Sequence, residues 1–213
     1  MRILPADDQP TNFPLPVGPP MNHSFASNHF LALRPDSATR DRLSLVSERL
    51  RAWELPANWT HPDDYHLTVL YLGDLTSEAA SWIPAAIGDV AESLRRPTLQ
   101  LAGLGASGTR GETVPRSVYA AASDHGGFCA DLRHDLGDCL EEATTAPYVP
   151  HLTLCRPHAA NPRNAPTLTR DWPRLLTAHG EADWGACVVD ALVLYRSTTR
   201  TPRYEEVSSW SLA

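Results

Sequence analysis

Two stretches of this chain open on the same three residues, HLTVLYLG at His66 and HLTLCRP at His151. Both read as strands, and each is framed in the same way. Before the first, HFLALR (29–34) is strand-like, and DSATRDRLSLVSERLRAWE follows with helical periodicity. Asp36 or Ser37 serves as its N-cap, with Leu43, Val46, Leu50 and Trp53 on one face. After it, Thr76 or Ser77 caps a helix striped by Ile83, Ile87, Val90 and Leu94. PTLQLAGLG and RSVYAAAS then read as two strands around a glycine-rich loop, and Phe128, Leu132, Leu136 and Leu140 mark a helix before the second HLT strand. A shorter helix from Leu168 to Thr177 and the strands CVVDALVLYRS and YEEVSSWSL close the chain. Strand, helix, HLT strand, helix, written twice, is an internal duplication. It predicts an α+β fold of two similar lobes.

The chain has 213 residues, enough for one domain or two small lobes sharing a core. No run of eighteen apolar residues occurs, so no transmembrane helix is expected. Residues 1–27 form a proline-rich leader without the apolar core of a signal peptide, which leaves 28–213 as the folded unit. Cys129, Cys139, Cys155 and Cys187 show no C-x-x-C spacing, and reduced thiols in the cytoplasm are expected. A formal charge of −7 argues against a protein that coats nucleic acid with a broad basic face. All the basic residues are arginine, whose planar fork grips phosphate with two hydrogen bonds.

On a strand, alternate residues share a face, so His66 lies beside Thr68 and His151 beside Thr153. If the lobes face each other, two imidazoles and two hydroxyls line one cleft. That set suits phosphodiester cleavage without a metal. One neutral histidine takes a proton from water, a protonated one gives a proton to the departing oxygen, and hydroxyls with an arginine donate to the non-bridging oxygens. Arg156 is the natural arginine, although strict alternation points it away from the His151 face. By the same alternation Cys155 borders the cleft as a wall residue.

With these motifs, HFLALRPD, HLTVLYLGDL, YVPHLTLCR and LVLYRSTTRTPRYEEVSSW, the chain resembles the two-histidine phosphoesterases, and within them the LigT/ThpR-type RNA 2',3'-cyclic phosphodiesterases, also described as 2'-5' RNA ligases. The resemblance implies two lobes of antiparallel sheet flanked by helices with the active-site cleft between them. It implies His66 as proton donor to the leaving group, His151 as proton acceptor, and Thr68, Thr153 and Arg156 as phosphate-binding residues. The implied reaction opens a 2',3'-cyclic phosphate at an RNA end to a 2'-phosphate, with no cofactor, metal or ATP; run backwards, it would form a 2'-5' linkage. The expected partners are RNA ends carrying that group, with no membrane, and the expected state is a monomer.

Tyr148 and Tyr119 are candidates to stack on a base, against a simpler role in packing. Arg196, Arg200 and Arg203 could attract phosphates upstream of an RNA end, or form a solvated basic turn. Gly103, Gly105 and Gly108 spell G-x-G-x-x-G, but a strand rather than a helix follows, so a flexible turn is expected there. HPDDYH (61–66) reads as a turn into the strand rather than a metal site. Three rivals stay open: a hydrolase of a small cyclic nucleotide or sugar phosphate, a module that binds a nucleotide or RNA end without turnover, and a metallohydrolase.

Overall fold

The computed structural model describes residues 28–110, 114–124, 126–142, 144, 148–158 and 165–213, so the proline-rich leader lies outside the described residues. Thirteen elements follow in chain order. They are β1 (His29–Pro35), α1 (Ser37–Arg51), β2 (Ala57–Trp59), a 3-10 turn (Pro62–Asp64), β3 (Leu67–Gly73), α2 (Ser77–Glu92) and β4 (Thr98–Arg110). Then come β5 (Val114–Ser123), α3 (Phe128–Leu140), β6 (His151–Pro157), α4 (Ala165–Ala178), β7 (Asp183–Ser197) and β8 (Tyr204–Ser211).

The helices begin where the sequence signals them. The Asp36 carboxylate accepts the Thr39 N–H at 2.8 Å, and the Thr76 hydroxyl accepts that of Ala79 at 3.1 Å. Arg49 and Arg51 close α1 at the negative end of its dipole. The helix stops there and the backbone turns at Glu54 (φ 55°), so Trp53 does not join the buried face and is 36% exposed. In α2, Ile83 and Ile87 are buried and Val90 and Leu94 pack partly against the core. The last helix begins before the expected Leu168 and buries Trp172 and Leu175.

All strand pairs are antiparallel, in the order β2-β6-β5-β4-β7-β1-β3, with β8 on the other edge of β7. The long β7 joins the lobes: residues 183–188 pair with β4, while residues 189–197 lie between β1 and β8. Each lobe repeats one unit, β1-α1-β3 in the first and β5-α3-β6 in the second, with the two strands of each unit paired.

The units are interlocked. Strand β2 belongs by sequence to the first unit but pairs with β6 of the second, setting Asn58 opposite Arg156 and Trp59 opposite Cys155. Three residues without alternation gave no strand signal in the sequence. Across the same junction, Arg133 of α3 donates to the Val69 carbonyl and the Tyr148 hydroxyl donates to the Thr68 carbonyl at 2.8 Å.

The expected glycine-rich loop is mostly strand. Register between β4 and β5 continues to Arg110 opposite Val114, and only residues 111–113 fall outside the described residues. The glycines make this hairpin possible instead of breaking it. Gly103 (φ 71°) accommodates an irregularity in β4, and a Cβ on Gly105 would stand 2.2 Å from the Tyr119 ring.

Alternation in β1 divides the apolar residues between two faces. Leu31 and Leu33 enter the main core under the helices; Phe30 and Ala32 point the other way and form a second cluster with Ala191, Val193 and Tyr195. That second cluster is the floor on which His66 rests, its ring 4.9 Å from Phe30.

Candidate active site

The same local device holds both motif histidines. His66 Nδ1 lies 2.7 Å from the Asp64 carbonyl, and His151 Nδ1 lies 2.8 Å from the Val149 carbonyl, in each case the residue two positions earlier. A carbonyl only accepts, so each Nδ1 carries a hydrogen and donates it. The titrating position of each neutral ring is therefore Nε2. His66 Nε2 lies 3.1 Å from the Thr68 hydroxyl, which donates to it while the ring is neutral.

Both motif strands are bulged immediately after the threonine. In β3, Leu31 faces Leu70 and Ala32 faces Thr68, which leaves Val69 as the extra residue. In β6, Val118 faces Cys155 and Tyr119 faces Thr153, which leaves Leu154 as the extra one. A one-residue bulge reverses the alternation of everything beyond it. Burial follows: after each half-exposed threonine come two buried residues and then an exposed one, Tyr71 in β3 and Arg156 in β6.

The bulge removes the geometric objection to Arg156, which lies on the His151–Thr153 face. Its charge reaches both imidazoles and lowers the proton affinity of each. It also corrects the expectation for Cys155. That side chain is fully buried in the main core, and burial pushes its thiol up to about 12. The equivalent site in the first lobe holds Tyr71, a residue the sequence reading passed over. The signal was present in the two motifs laid side by side, HLTVLY against HLTLCR.

The surroundings of the two imidazoles differ. His66 is enclosed by Phe30, by the edge of Tyr204 at 4.8 Å and by Tyr195 at 5.9 Å. Loss of hydration in this aromatic cage lowers its pKa to about 4, against the opposing hydrogen bond to Asp64; Arg156 and His151 lower it further. His151 has Tyr119 against it at 4.5 Å and is also lowered, chiefly by burial, then by Arg156.

The two candidate stacking tyrosines are therefore differently employed. Tyr119 packs on the His151 imidazole. Tyr148 carries Arg133 over its ring at 5.4 Å and spends its hydroxyl on the Thr68 backbone, bracing one motif strand against the other lobe. Thr153 stands half-exposed on the cleft face, and its hydroxyl has no hydrogen-bond partner among the described residues.

HPDDYH forms a turn, as expected, and Asp64 does more than end it. The buried carboxylate accepts the backbone N–H groups of Arg203 and Tyr204 at 2.9 and 3.1 Å. It pins the β7–β8 connection beside the site and so places Tyr204 against His66. Among the described residues, no three His, Cys, Asp or Glu side chains are grouped to hold a metal ion. All four cysteines are free. Arg196 is paired with Glu205 at 2.7 Å, whereas Arg200 and Arg203 lie in the connection itself. No helix among the described residues is long and apolar enough to cross a membrane.

Comparison with known proteins agrees with this arrangement. Residues 33–119, which contain the first motif, match the family model of LigT like phosphoesterases. Over 192 residues the chain is 29% identical to the RNA 2',3'-cyclic phosphodiesterase of Geobacillus stearothermophilus, covering 87% of this chain and 57% of that protein's length. Among solved structures it is similar to TT0787 of Thermus thermophilus, with a TM-score of 0.64, 22% identity, and coverage of 87% of this chain and 97% of that one. It is likewise similar to Escherichia coli LigT complexed with 3'-AMP, with a TM-score of 0.62, 20% identity, and coverage of 88% and 98%. These structural likenesses carry the fold, and the sequence matches make the chain similar to the LigT like phosphoesterases over its first lobe and to the Geobacillus protein over most of its length.

Proposed function

We propose that residues 28–213 act as one bilobal enzyme that hydrolyses the 2',3'-cyclic phosphate at an RNA end to a 2'-phosphate, without a metal or cofactor. The observation that carries this reading is the paired device just described. Two imidazoles are each locked through Nδ1 on a backbone carbonyl two residues earlier, His66 Nε2 lies against the Thr68 hydroxyl, Thr153 shares the face of His151, and one arginine acts on both rings. The name of the Geobacillus relative supports the substrate.

In this mechanism Arg156 and Thr153 donate to the non-bridging oxygens, and Thr68 joins them once His66 is protonated and no longer accepts its hydroxyl. His151 Nε2 takes a proton from water as its oxygen attacks phosphorus. The 3'-oxygen leaves opposite the attacking oxygen and receives its proton from His66 Nε2. In the free protein His66 is held neutral by its cage, and the bound phosphate anion raises its proton affinity to the point where it carries the proton it must give. With a 5'-hydroxyl in place of water, the same steps would join the cyclic end to it as a 2'-5' linkage, the 3'-oxygen again leaving; in water hydrolysis dominates. A monomer in the cytoplasm completes the reading.

The test is a short RNA ending in a 2',3'-cyclic phosphate, incubated with the protein and a chelator, with the product identified. A 2'-phosphate made by the wild type and lost in His66→Ala and His151→Ala is the expected result. A 3'-phosphate would reverse the leaving group, and loss of activity with chelator would overturn the metal-free mechanism.

A further inference from the structure

A groove of about 610 Å³ runs off from the cleft at Arg156. One wall is the interlocked edge strand β2 with the residues after it, including Trp59 and His61; the other is the β7–β8 connection. Four guanidinium groups line it, from Arg51, Arg156, Arg200 and Arg203, and among the described residues none of the four forms an ion pair. Arg196, a few residues away on the same hairpin, is neutralised by Glu205. The one carboxylate in the lining, Asp64, is only 4% exposed and is occupied by the backbone N–H groups of Arg203 and Tyr204.

In a chain of formal charge −7, this concentrates unpaired positive charge in a concave site. The groove also carries an aromatic platform. The Arg51 guanidinium lies 5.3 Å from the Trp59 ring, so the two form a stacked pair at the groove wall. Unpaired arginines interleaved with an aromatic are what a single-stranded nucleic acid needs: guanidiniums for successive phosphates, a flat surface for a base.

We propose that this groove binds the nucleotides adjoining the reactive phosphate, so that the preferred substrate is the end of an oligonucleotide and not a cyclic mononucleotide. The proposal rests on the hydrolase reading above. Arg156 serves both regions, holding the reacting phosphate and standing at the mouth of the groove. Arg51, Arg200 and Arg203 take the phosphates beyond, and Trp59 with Arg51 receives a base. Binding of this kind tolerates any base and weakens as salt rises, by about 0.7 in log-log slope per phosphate neutralised.

The test compares kcat/KM for a hexaribonucleotide ending in a 2',3'-cyclic phosphate with that for adenosine 2',3'-cyclic phosphate. Arg51→Gln and Arg200→Gln, both at exposed positions, are combined. The double variant is expected to lose about tenfold on the hexanucleotide, with a shallower salt slope, and to keep its rate on the mononucleotide. Equal losses on both substrates, or none on the hexanucleotide, would overturn the proposal while leaving the hydrolase intact. If the wild type turns over neither substrate, the hydrolase reading falls. The groove is then judged by fluorescence anisotropy of a 5'-labelled hexaribonucleotide across salt concentrations. Weaker, less salt-dependent binding by the double variant supports the groove, and unchanged binding overturns it.

Discussion

Strands β3 and β6 have one backbone plan and two chemistries. Each starts from an imidazole tied to the carbonyl two residues back, each bulges after its threonine, and each sends the fifth residue past the histidine into the open. Yet His66 sits in a cage of three aromatics and His151 against one. Thr68 is tied to its histidine, Thr153 is not, and Tyr71 stands where the other lobe has Arg156. Duplication can supply two histidines in matched frames, but the acid and base of the proposed mechanism must differ. The difference comes from what surrounds each frame.

The most severe way to break this pair is to remove either imidazole. His66→Ala and His151→Ala should each lower kcat by about 10²- to 10⁴-fold, and the double variant should lose little more than the worse single one, because acid and base act as a unit. Single-turnover rates check this. The two should part company in stability. With a folded pKa near 4 and an ordinary value near 6.5 when unfolded, His66 binds more protons in the unfolded chain between those limits. Its neutral burial therefore favours folding fully above pH 6.5 and loses on the order of 3 kcal/mol as the pH falls toward 4. Urea midpoints for wild type and His66→Leu at pH 7 and pH 4.5 measure it. The variant should be less sensitive to acid, and equal sensitivity would mean that His66 is not the group responsible.

Next comes Arg156. Arg156→Gln should cost about 10²-fold in kcat through the lost phosphate contact. Its charge also disfavours the imidazolium form of both histidines. In the proposed mechanism the working state carries one proton on the pair, so kcat/KM in the wild type should peak between two apparent pKa values that both lie below 6.5. Removing the positive charge raises both values, and the peak should move to higher pH. A profile that falls in height without moving would show that Arg156 acts on the substrate alone.

How much of this asymmetry could be read in the sequence depends on the kind of signal involved. The duplication, the helix caps at Asp36 and Thr76, and the His–Thr pairs follow from periodicity and local hydrogen bonding, which a short window contains. The position of Arg156 does not, because a bulge is a property of two strands in register and leaves no trace in one of them. Cys155 was misplaced for the same reason. Pairing of β2 with β6, and the cage of Phe30, Tyr195 and Tyr204, join residues remote in the chain, and neither alternation nor spacing encodes them. The glycine-rich segment misled in the opposite direction. Its glycines answer to the ring across the hairpin and not to a turn.

The threonines sharpen the comparison more gently. Thr153→Val removes a hydroxyl with no other described partner and should lower kcat about tenfold with stability nearly unchanged. Thr68→Val removes the hydrogen bond to His66 Nε2 as well, so it should also displace the pH profile. Matching profiles in the two variants would mean that the hydroxyls are equivalent after all.

The smallest expected effect tests whether Tyr119 positions His151. Gly105 lies opposite Tyr119 in the β4–β5 register, and an added Cβ would meet the ring at 2.2 Å, so Gly105→Ala must displace it. Overpacking of this kind costs about 1–3 kcal/mol. Because the ring packs on the imidazole at 4.5 Å, kcat should also fall about fivefold while KM hardly changes. Tyr119→Leu, which shortens the side chain, should relieve the clash, so Gly105→Ala with Tyr119→Leu should be more stable than the sum of the single effects requires. It should not recover the lost rate, since the ring that orients His151 is gone. Strict additivity in stability would show that residues 105 and 119 do not touch. Recovery of the rate would show that His151 is held by its backbone hydrogen bond to Val149 and needs no ring beside it.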